Sequence, residues 1–240
     1  MKDTLFLDDQ SVISPFCFNN EVVTVFDDMV SRSVPCYWDI IKLIVVIIAQ
    51  SISDKGHVYD LGCSTGNVIK AILNHIDCHG IEIDGVDLSA DMLMKAESKL
   101  SIDERQCVNL TQFDLNKSIV LQPTNAVILN LTLQFLVEDA RQRLLQICYH
   151  ALDNKGVMII IEKVAGCSAE EADLFSWRFD YFKQLNGYSV IEIENKKKAI
   201  KSILQPFTIV QNEVMFHNAG FTYVNQQFRW GNFVGWELRK

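Results

Sequence analysis

Between residues 56 and 165, short apolar runs alternate with stretches in which apolar side chains return every three or four positions. The runs near Val58, Asp84, Val108, Ala126 and Val157 read as strands, and the stretches between them as helices. Helices are expected over Asn67 to Asn74, over Ala90 to Leu100 with Met92, Leu93, Ala96 and Leu100 on one face, and over Val137 to Leu152 with Leu144, Leu145, Cys148 and Leu152 on one face. Asn154-Lys155-Gly156 reads as a helix stop ahead of a strand from Val157 to Ile161. Alternation of this kind specifies a mostly parallel sheet with helices packed on it.

The flanks of this block differ. Glu21 to Ile52 has helical character in two pieces, broken at Ser33-Val34-Pro35 because proline drives the residue before it out of the helical region. After the strand at Val157, the alternation pauses for a helical insertion from Ser168 to Gln205. It opens with Ser168 and Glu171 spaced as a capping box and is divided at Asn186-Gly187. Beyond the carboxyl end of a central strand, such an insertion would cover a ligand crevice. A last helix ends at Ala219-Gly220, and the runs Phe221 to Phe228 and Phe233 to Leu238 surround the turn Arg229-Trp230-Gly231-Asn232, so an antiparallel hairpin closes the sheet. The expectation is one α/β domain over residues 1–240 with a seven-stranded sheet, a helical cap at 1–55 and a helical insertion at 165–206. With 240 residues and 49% hydrophobic content, the chain can bury such a core without staples.

The candidate chemistry gathers at strand tips, where open α/β sheets bind ligands. Val58-Tyr59-Asp60-Leu61-Gly62-Cys63-Ser64-Thr65-Gly66 joins the first strand of the block to its first helix, and Asp87 closes the second strand. Small residues let backbone approach a ligand, and a carboxylate on the second strand can accept two ribose hydroxyl protons. A dinucleotide loop needs glycine at three positions, and here Ser64 and Asn67 stand at the second and third. The surviving Asp-x-Gly-x-x-x-Gly is the form used by class I S-adenosylmethionine (SAM) enzymes of Rossmann-like fold. Asp60 is then expected near the amino-acid end of SAM and Asp87 at its ribose. The plainer alternative is a tight turn at Asp60 and Gly62, with Asp87 only preceding the helix cap Ser89. Asp114, with Leu115 after it, suits an adenine amino group or equally a simple turn before Asn116. Asn130, ending Ala126-Val127-Ile128-Leu129, is expected at the sulfonium region or as a turn residue.

Composition narrows the class. The formal charge is −8, and only Lys196-Lys197-Lys198 concentrates positive charge, so direct nucleic-acid binding is disfavoured. The seven cysteines are scattered, with no Cys-x-x-Cys pair, which favours reduced thiols in a cytoplasmic protein over disulfides or zinc. His75 and His79 have metal-like spacing but no companion ligand, so no metal is expected. No charged-then-apolar leader opens the sequence. The longest apolar run, Leu43 to Ala49, is too short to span a membrane and reads as core or subunit contact. Cys63 reads as a small loop residue, and no catalytic residue is assigned.

Several segments resemble one family. Asp3-Thr4-Leu5-Phe6, Val25-Phe26-Asp27-Asp28-Met29, Arg32-Ser33-Val34-Pro35-Cys36-Tyr37, the Asp60 to Ser64 loop, Asn130-Leu131-Thr132-Leu133-Gln134-Phe135-Leu136 and Asn186-Gly187-Tyr188-Ser189 are similar, in this order, to carboxy-S-adenosyl-L-methionine (carboxy-SAM) synthases. The resemblance implies that SAM and prephenate give carboxy-SAM and phenylpyruvate, with prephenate breakdown itself supplying carbon dioxide and the base that deprotonates the SAM methyl group. It implies a separate tRNA carboxymethyltransferase that uses the product at wobble uridine. Carried over by position, the ligand contacts fall on Tyr37, Gly62, Cys63, Ser64, Asp87, Leu88, Asp114, Leu115, Asn130 and Lys197. In the family the last of these is an arginine that clamps the extra carboxylate and is supplied across a dimer interface, so a homodimer is implied as well.

Three positions depart from the family. Cys36 replaces the glycine before Tyr37, Leu88 replaces the asparagine after the ribose acid, and Lys197 replaces the clamping arginine, exchanging a bidentate fork for a point charge. From composition alone, Lys196 to Lys198 would read as a solvated helix face. Arg32, Tyr37 and Arg178 are candidates for holding prephenate, as polar or cationic residues in segments expected near the crevice. Two other functions suit the same loop: a SAM-dependent methyltransferase acting on a small molecule, favoured by Leu88 and Lys197, and a non-catalytic SAM-binding dimer. Formation of carboxy-SAM and phenylpyruvate separates them.

Overall fold

The computed structural model describes residues 1–7, 16–52, 55–77 and 79–240; Cys78 falls outside them. Five parallel strands, β1 (His57–Leu61), β2 (Glu82–Asp87), β3 (Val108–Gln112), β4 (Thr124–Asn130) and β5 (Leu152–Lys163), join the hairpin β6 (Tyr223–Trp230) and β7 (Phe233–Arg239). Their order is β3-β2-β1-β4-β5-β7-β6, with β7 antiparallel to both neighbours, so the expected sheet is present.

Successive side chains on a strand face opposite ways. Val58, Ile128, Ile159 and Ile161 pack on one face with α2 (Tyr37–Ala49) and α3 (Asn67–His75). Tyr59, Leu61, Val127, Leu129, Met158 and Ile160 pack on the other with α5 (Glu138–Ala151) and α8 (Ile209–Ala219). Covering both faces is what lets parallel strands be apolar throughout. In the run from Leu43 to Ala49, Ile44, Val45, Ile47 and Ile48 are buried, which makes it core. The cap contributes α1 (Asn20–Ser33) as well as α2, separated where Val34 is extended before Pro35. The face of α4 (Ala90–Ser98) that carries Met92, Leu93 and Ala96 is buried, as its spacing predicts.

Four local expectations need correction. Residues 154–156 are strand, not a helix stop: α5 ends at Ala151 and β5 begins at Leu152. Gly156 belongs to a bulge, for the register jumps from Thr124 opposite Leu152 to Ala126 opposite Val157, and a Cβ there would meet the Asp153 and Asn125 carbonyls at 3.0 and 3.1 Å. Ser168 caps α6 (Ala169–Leu185), but Glu171 accepts from the Cys167 N–H instead of closing a box; complete boxes open α7 (Val190–Ile200) at Ser189 and α8 at Thr208. The hairpin turn is only Gly231 and Asn232, and Phe221 and Thr222 precede β6. Asp114 lies beyond the end of β3, in the following loop.

The insertion returns to the body at Arg141, a buried guanidinium on α5. It donates to the Leu136 carbonyl at 2.9 Å and the Gln205 carbonyl at 2.8 Å, and stacks on Phe207. Arg141→Met keeps the length of the side chain but strands both carbonyls. We expect urea denaturation to show a loss of about 2 to 4 kcal/mol; a loss below about 0.5 kcal/mol would show that these bonds contribute no net stability.

Candidate active site

The turn after β1 runs through left-handed backbone at Gly62 (φ +87°), Ser64 (φ +52°) and Gly66 (φ +73°). Gly62 and Cys63 both donate their N–H groups to the Val86 carbonyl of β2, at 2.7 and 3.0 Å. A Cβ on Gly62 would lie 2.3 Å from Thr132 Oγ1, and one on Gly66 would lie 2.9 Å from Ala96 Cβ, so both steric room and φ demand glycine. Asp27 of α1 accepts from Thr65 Oγ1 at 2.6 Å and Asn67 Nδ2 at 3.0 Å, and pairs with Lys99 at 2.8 Å; these contacts fix the cap to the loop.

Over the carboxyl ends of the strands lies a cavity of about 580 Å³, closed by Phe16, Phe18, α1, α6 and α7. Tyr37, Asp60, Gly62, Cys63, Ser64, Asp87, Leu88, Asp114, Leu115, Asn130 and Lys197 all line it. The insertion covers the crevice through Phe175, Phe179, Lys183 and Lys196 among others. Sequence reasoning missed the aromatic wall of Phe16, Phe18, Phe26 and Phe135, and the cationic residues Lys163, Lys183 and Lys196. For Lys163 a signal was available, since it ends a central strand.

The cavity is acidic over the tips of β1 and β2. Asp60 is 1% exposed, neither of its carboxylate oxygens has a hydrogen-bond partner, and burial, with Asp87 second, pushes its carboxyl up to about 7. Asn130 Oδ1 is likewise buried without a donor. Asp87 accepts the Ser89 N–H at the start of α4 and the Ser64 N–H of the loop, each at 2.9 Å, and it also lines the cavity. Burial raises its carboxyl too. Asp114 makes the turn, accepting the Asn116 N–H at 3.0 Å, and stands at the cavity wall. Buried acceptors without donors suit a ligand that brings a cation and N–H groups, and SAM carries an ammonium and a sulfonium.

The opposite end is basic. Lys197 faces the cavity of its own chain, donating to Asp180 and, at 3.3 Å, to Glu194. It therefore reaches this cavity without a second subunit. Lys183 pairs with the same Asp180 at 3.0 Å. Arg32 and Arg178 do not line the cavity. Arg32 bonds Asp28 at 2.7 Å and stacks on Tyr188 at 4.0 Å, and Arg178 lies with Trp177 and Trp230 in a separate hollow. Tyr37 accepts from Asn67 Nδ2 at 3.0 Å, and burial raises its hydroxyl. Burial, Asp60 and Asp87 hold the Cys63 thiol well above its usual value, the reverse of what a thiolate nucleophile needs. Cys36 sits at φ +55°, left-handed backbone that favours glycine.

A methyltransferase-domain sequence profile matches residues 59–158. The carboxy-SAM synthase of Methylococcus capsulatus is 34% identical, with 98% of this chain and 97% of that protein covered; the one from Pseudomonas aeruginosa is 36% identical, with 97% and 96% covered. The chain belongs to the carboxy-SAM synthase family. A third member, from Helicobacter pylori, is 34% identical over the whole of both chains. Solved structures support the fold of this chain. Human N-acetylserotonin methyltransferase in complex with SAM matches with a TM-score of 0.59 at 15% identity over 92% of this chain and 55% of that one. A complex of the Haloferax volcanii Trm112 methyltransferase activator with a methyltransferase matches at 0.64 and 13% identity, over 92% and 96%. These establish a class I SAM-methyltransferase fold. Among the described residues no helix is long and apolar enough to cross a membrane.

The Asp60 charge makes a testable demand on the ligand-free protein. Its folded-state value, raised to about 7, lies above the unfolded one, so its destabilising contribution develops as pH rises from about 4 and is complete above about 7. Asp60→Asn should therefore stabilise by about 2 to 4 kcal/mol in urea denaturation at pH 8, with the gain shrinking as pH falls toward 4. A pH-independent difference would show that the buried carboxylate carries no such penalty.

Proposed function

We propose that this chain converts SAM and prephenate to carboxy-SAM and phenylpyruvate. The observation that carries the reading is the full-length similarity to carboxy-SAM synthases, joined to a cavity with unpaired acceptors at one end and lysines at the other. In this reading Asp60 holds the SAM ammonium, Asp87 the ribose, Asp114 and the Leu115 N–H the adenine, and Asn130 lies at the sulfonium. Tyr37, Gly62, Cys63, Ser64 and Leu88 complete the contacts, and Lys197 takes the carboxylate of the product.

The chemistry balances without a protein base. Prephenate loses its ring carboxylate as carbon dioxide and its hydroxyl as hydroxide, leaving phenylpyruvate. Hydroxide takes a proton from the SAM methyl group to give water, and the methyl carbon then bonds carbon dioxide. What the protein contributes is position and exclusion of bulk water, a role suited to the aromatic wall and the insertion that close the cavity. The product goes to a separate enzyme that modifies wobble uridine in tRNA, so this chain need not grip RNA, in keeping with its −8 charge. We place it in the cytoplasm because thiols at Cys17, Cys36 and Cys167 are exposed and unpaired.

Incubation with SAM and prephenate, followed by mass spectrometry, should yield carboxylated SAM and phenylpyruvate in equal amounts. A methylated acceptor, or SAM recovered unchanged, would reject the activity. Lys197→Ala tests the clamp: carboxy-SAM affinity should fall roughly tenfold while SAM affinity holds, and equal losses for both ligands would reduce Lys197 to a partner of Asp180. A homodimer is the expected assembly, favoured by the exposed stripe of Leu174, Trp177, Tyr181 and Leu185 along α6. Light scattering should give twice the chain mass, and Trp177→Glu should halve it; a wild-type monomer would refute the dimer.

A further inference from the structure

Three polar side chains stand in a row across the sheet. Asp60 of β1 pairs in register with Ile128 of β4, and Asn130 lies two residues further along β4 on the same face. Asn130 pairs with Ile161 of β5, and Lys163 lies two residues beyond Ile161, again on that face. The parity is fixed by the core, because Val58, Ile128 and Ile161 all belong to the cluster beneath α2 and α3. Each step moves one strand sideways and two residues up, so the side chains stand about 8 Å apart along a diagonal. The row runs from a carboxylate through an amide to an ammonium.

Lys163 differs from Lys183 and Lys197, and shares with Lys196, which lies 5.7 Å from the Tyr188 ring centre, the lack of an ion pair among the described residues. Lys183 and Lys197 share Asp180, whereas among the described residues no carboxylate or hydrogen-bond acceptor contacts the Lys163 ammonium. It lies 4.4 Å from the centre of the Phe179 ring, and Lys183 lies at the same distance from that ring. Burial, with Lys183 second, holds its ammonium down to about 8. A cation that is desolvated, unpaired and facing a cavity gains most from an anionic ligand.

We propose that Lys163 binds a carboxylate of the second substrate, setting that substrate beyond Asn130 and next to the SAM methyl group. This rests on the two-substrate reading above and adds to it a residue that selects an anionic partner. With SAM spanning Asp60 to Asn130, the next position on the diagonal is the one from which a second molecule meets the methyl carbon. A neutral acceptor would leave the ammonium buried and unpaired, so the subsite discriminates against uncharged substrates.

Lys163→Gln and Lys163→Met are to be measured side by side, so that a packing fault peculiar to one does not decide. Expected is a rise of at least roughly fivefold in the KM for prephenate in both, with SAM affinity by calorimetry within about twofold of wild type and substantial recovery in Lys163→Arg. A smaller rise in either variant, or an equal loss of SAM affinity in both, overturns the assignment. If the wild type makes no carboxy-SAM, the activity falls but the subsite is still decided, by titrating phenylpyruvate into SAM-loaded protein. A loss of affinity of at least roughly fivefold in both variants then supports it, and any smaller loss overturns it.

Discussion

Much of this molecule depends on one carbonyl. Val86 of β2 accepts from both Gly62 and Cys63, which ties the turn after β1 to the neighbouring strand at the point where the two acids Asp60 and Asp87 must come together. The carboxylate of Asp87 then holds the Ser64 N–H, so strand, turn and acid close a short hydrogen-bonded circuit. Two like charges in a buried corner would separate if the backbone allowed it. The circuit, together with the contact of Gly62 against Thr132, denies them that relaxation, and the result is a pocket preorganised for positive charge.

The cap and the insertion complete what the sheet begins. Asp27 links α1 to the loop through Thr65 and Asn67, and Tyr188, from the turn between α6 and α7, donates its hydroxyl to Asp3 at 2.7 Å while Arg32 stacks on its ring. Segments from the beginning and the last third of the chain thus meet over the cavity. The arginine that looked available for substrate is used in this junction. It joins Asp28, the Asp3 carbonyl and the Tyr188 ring, outside the cavity lining.

The parallel strands with their closing hairpin, both flanking helical segments and the residues of the loop were legible because each has a local signature: period two or three to four, glycine spacing, and acids at strand ends. The boundary of β5 was not legible, since Gly156 in Asn154-Lys155-Gly156 looks the same whether it ends a helix or forms a bulge; only the approach of the Asn125 carbonyl from β4 distinguishes them. The basic wall escaped for a related reason. Lys163, Lys183 and Lys196 come from β5, α6 and α7, and the parity of β5 and the return of the two helices over it are what bring them together. Arg178 failed as a candidate because proximity in sequence to the insertion does not say which side of α6 faces inward.

The opposed charges at the two ends of the cavity have a thermodynamic consequence. A cation settling against Asp60 and Asp87 cancels a field that would otherwise oppose an anion nearby, and an anion settling among the lysines does the same for the cation. Occupancy of one end therefore favours occupancy of the other by the same free energy in both directions. A cavity with this arrangement of charge favours a cation and an anion together over either one alone.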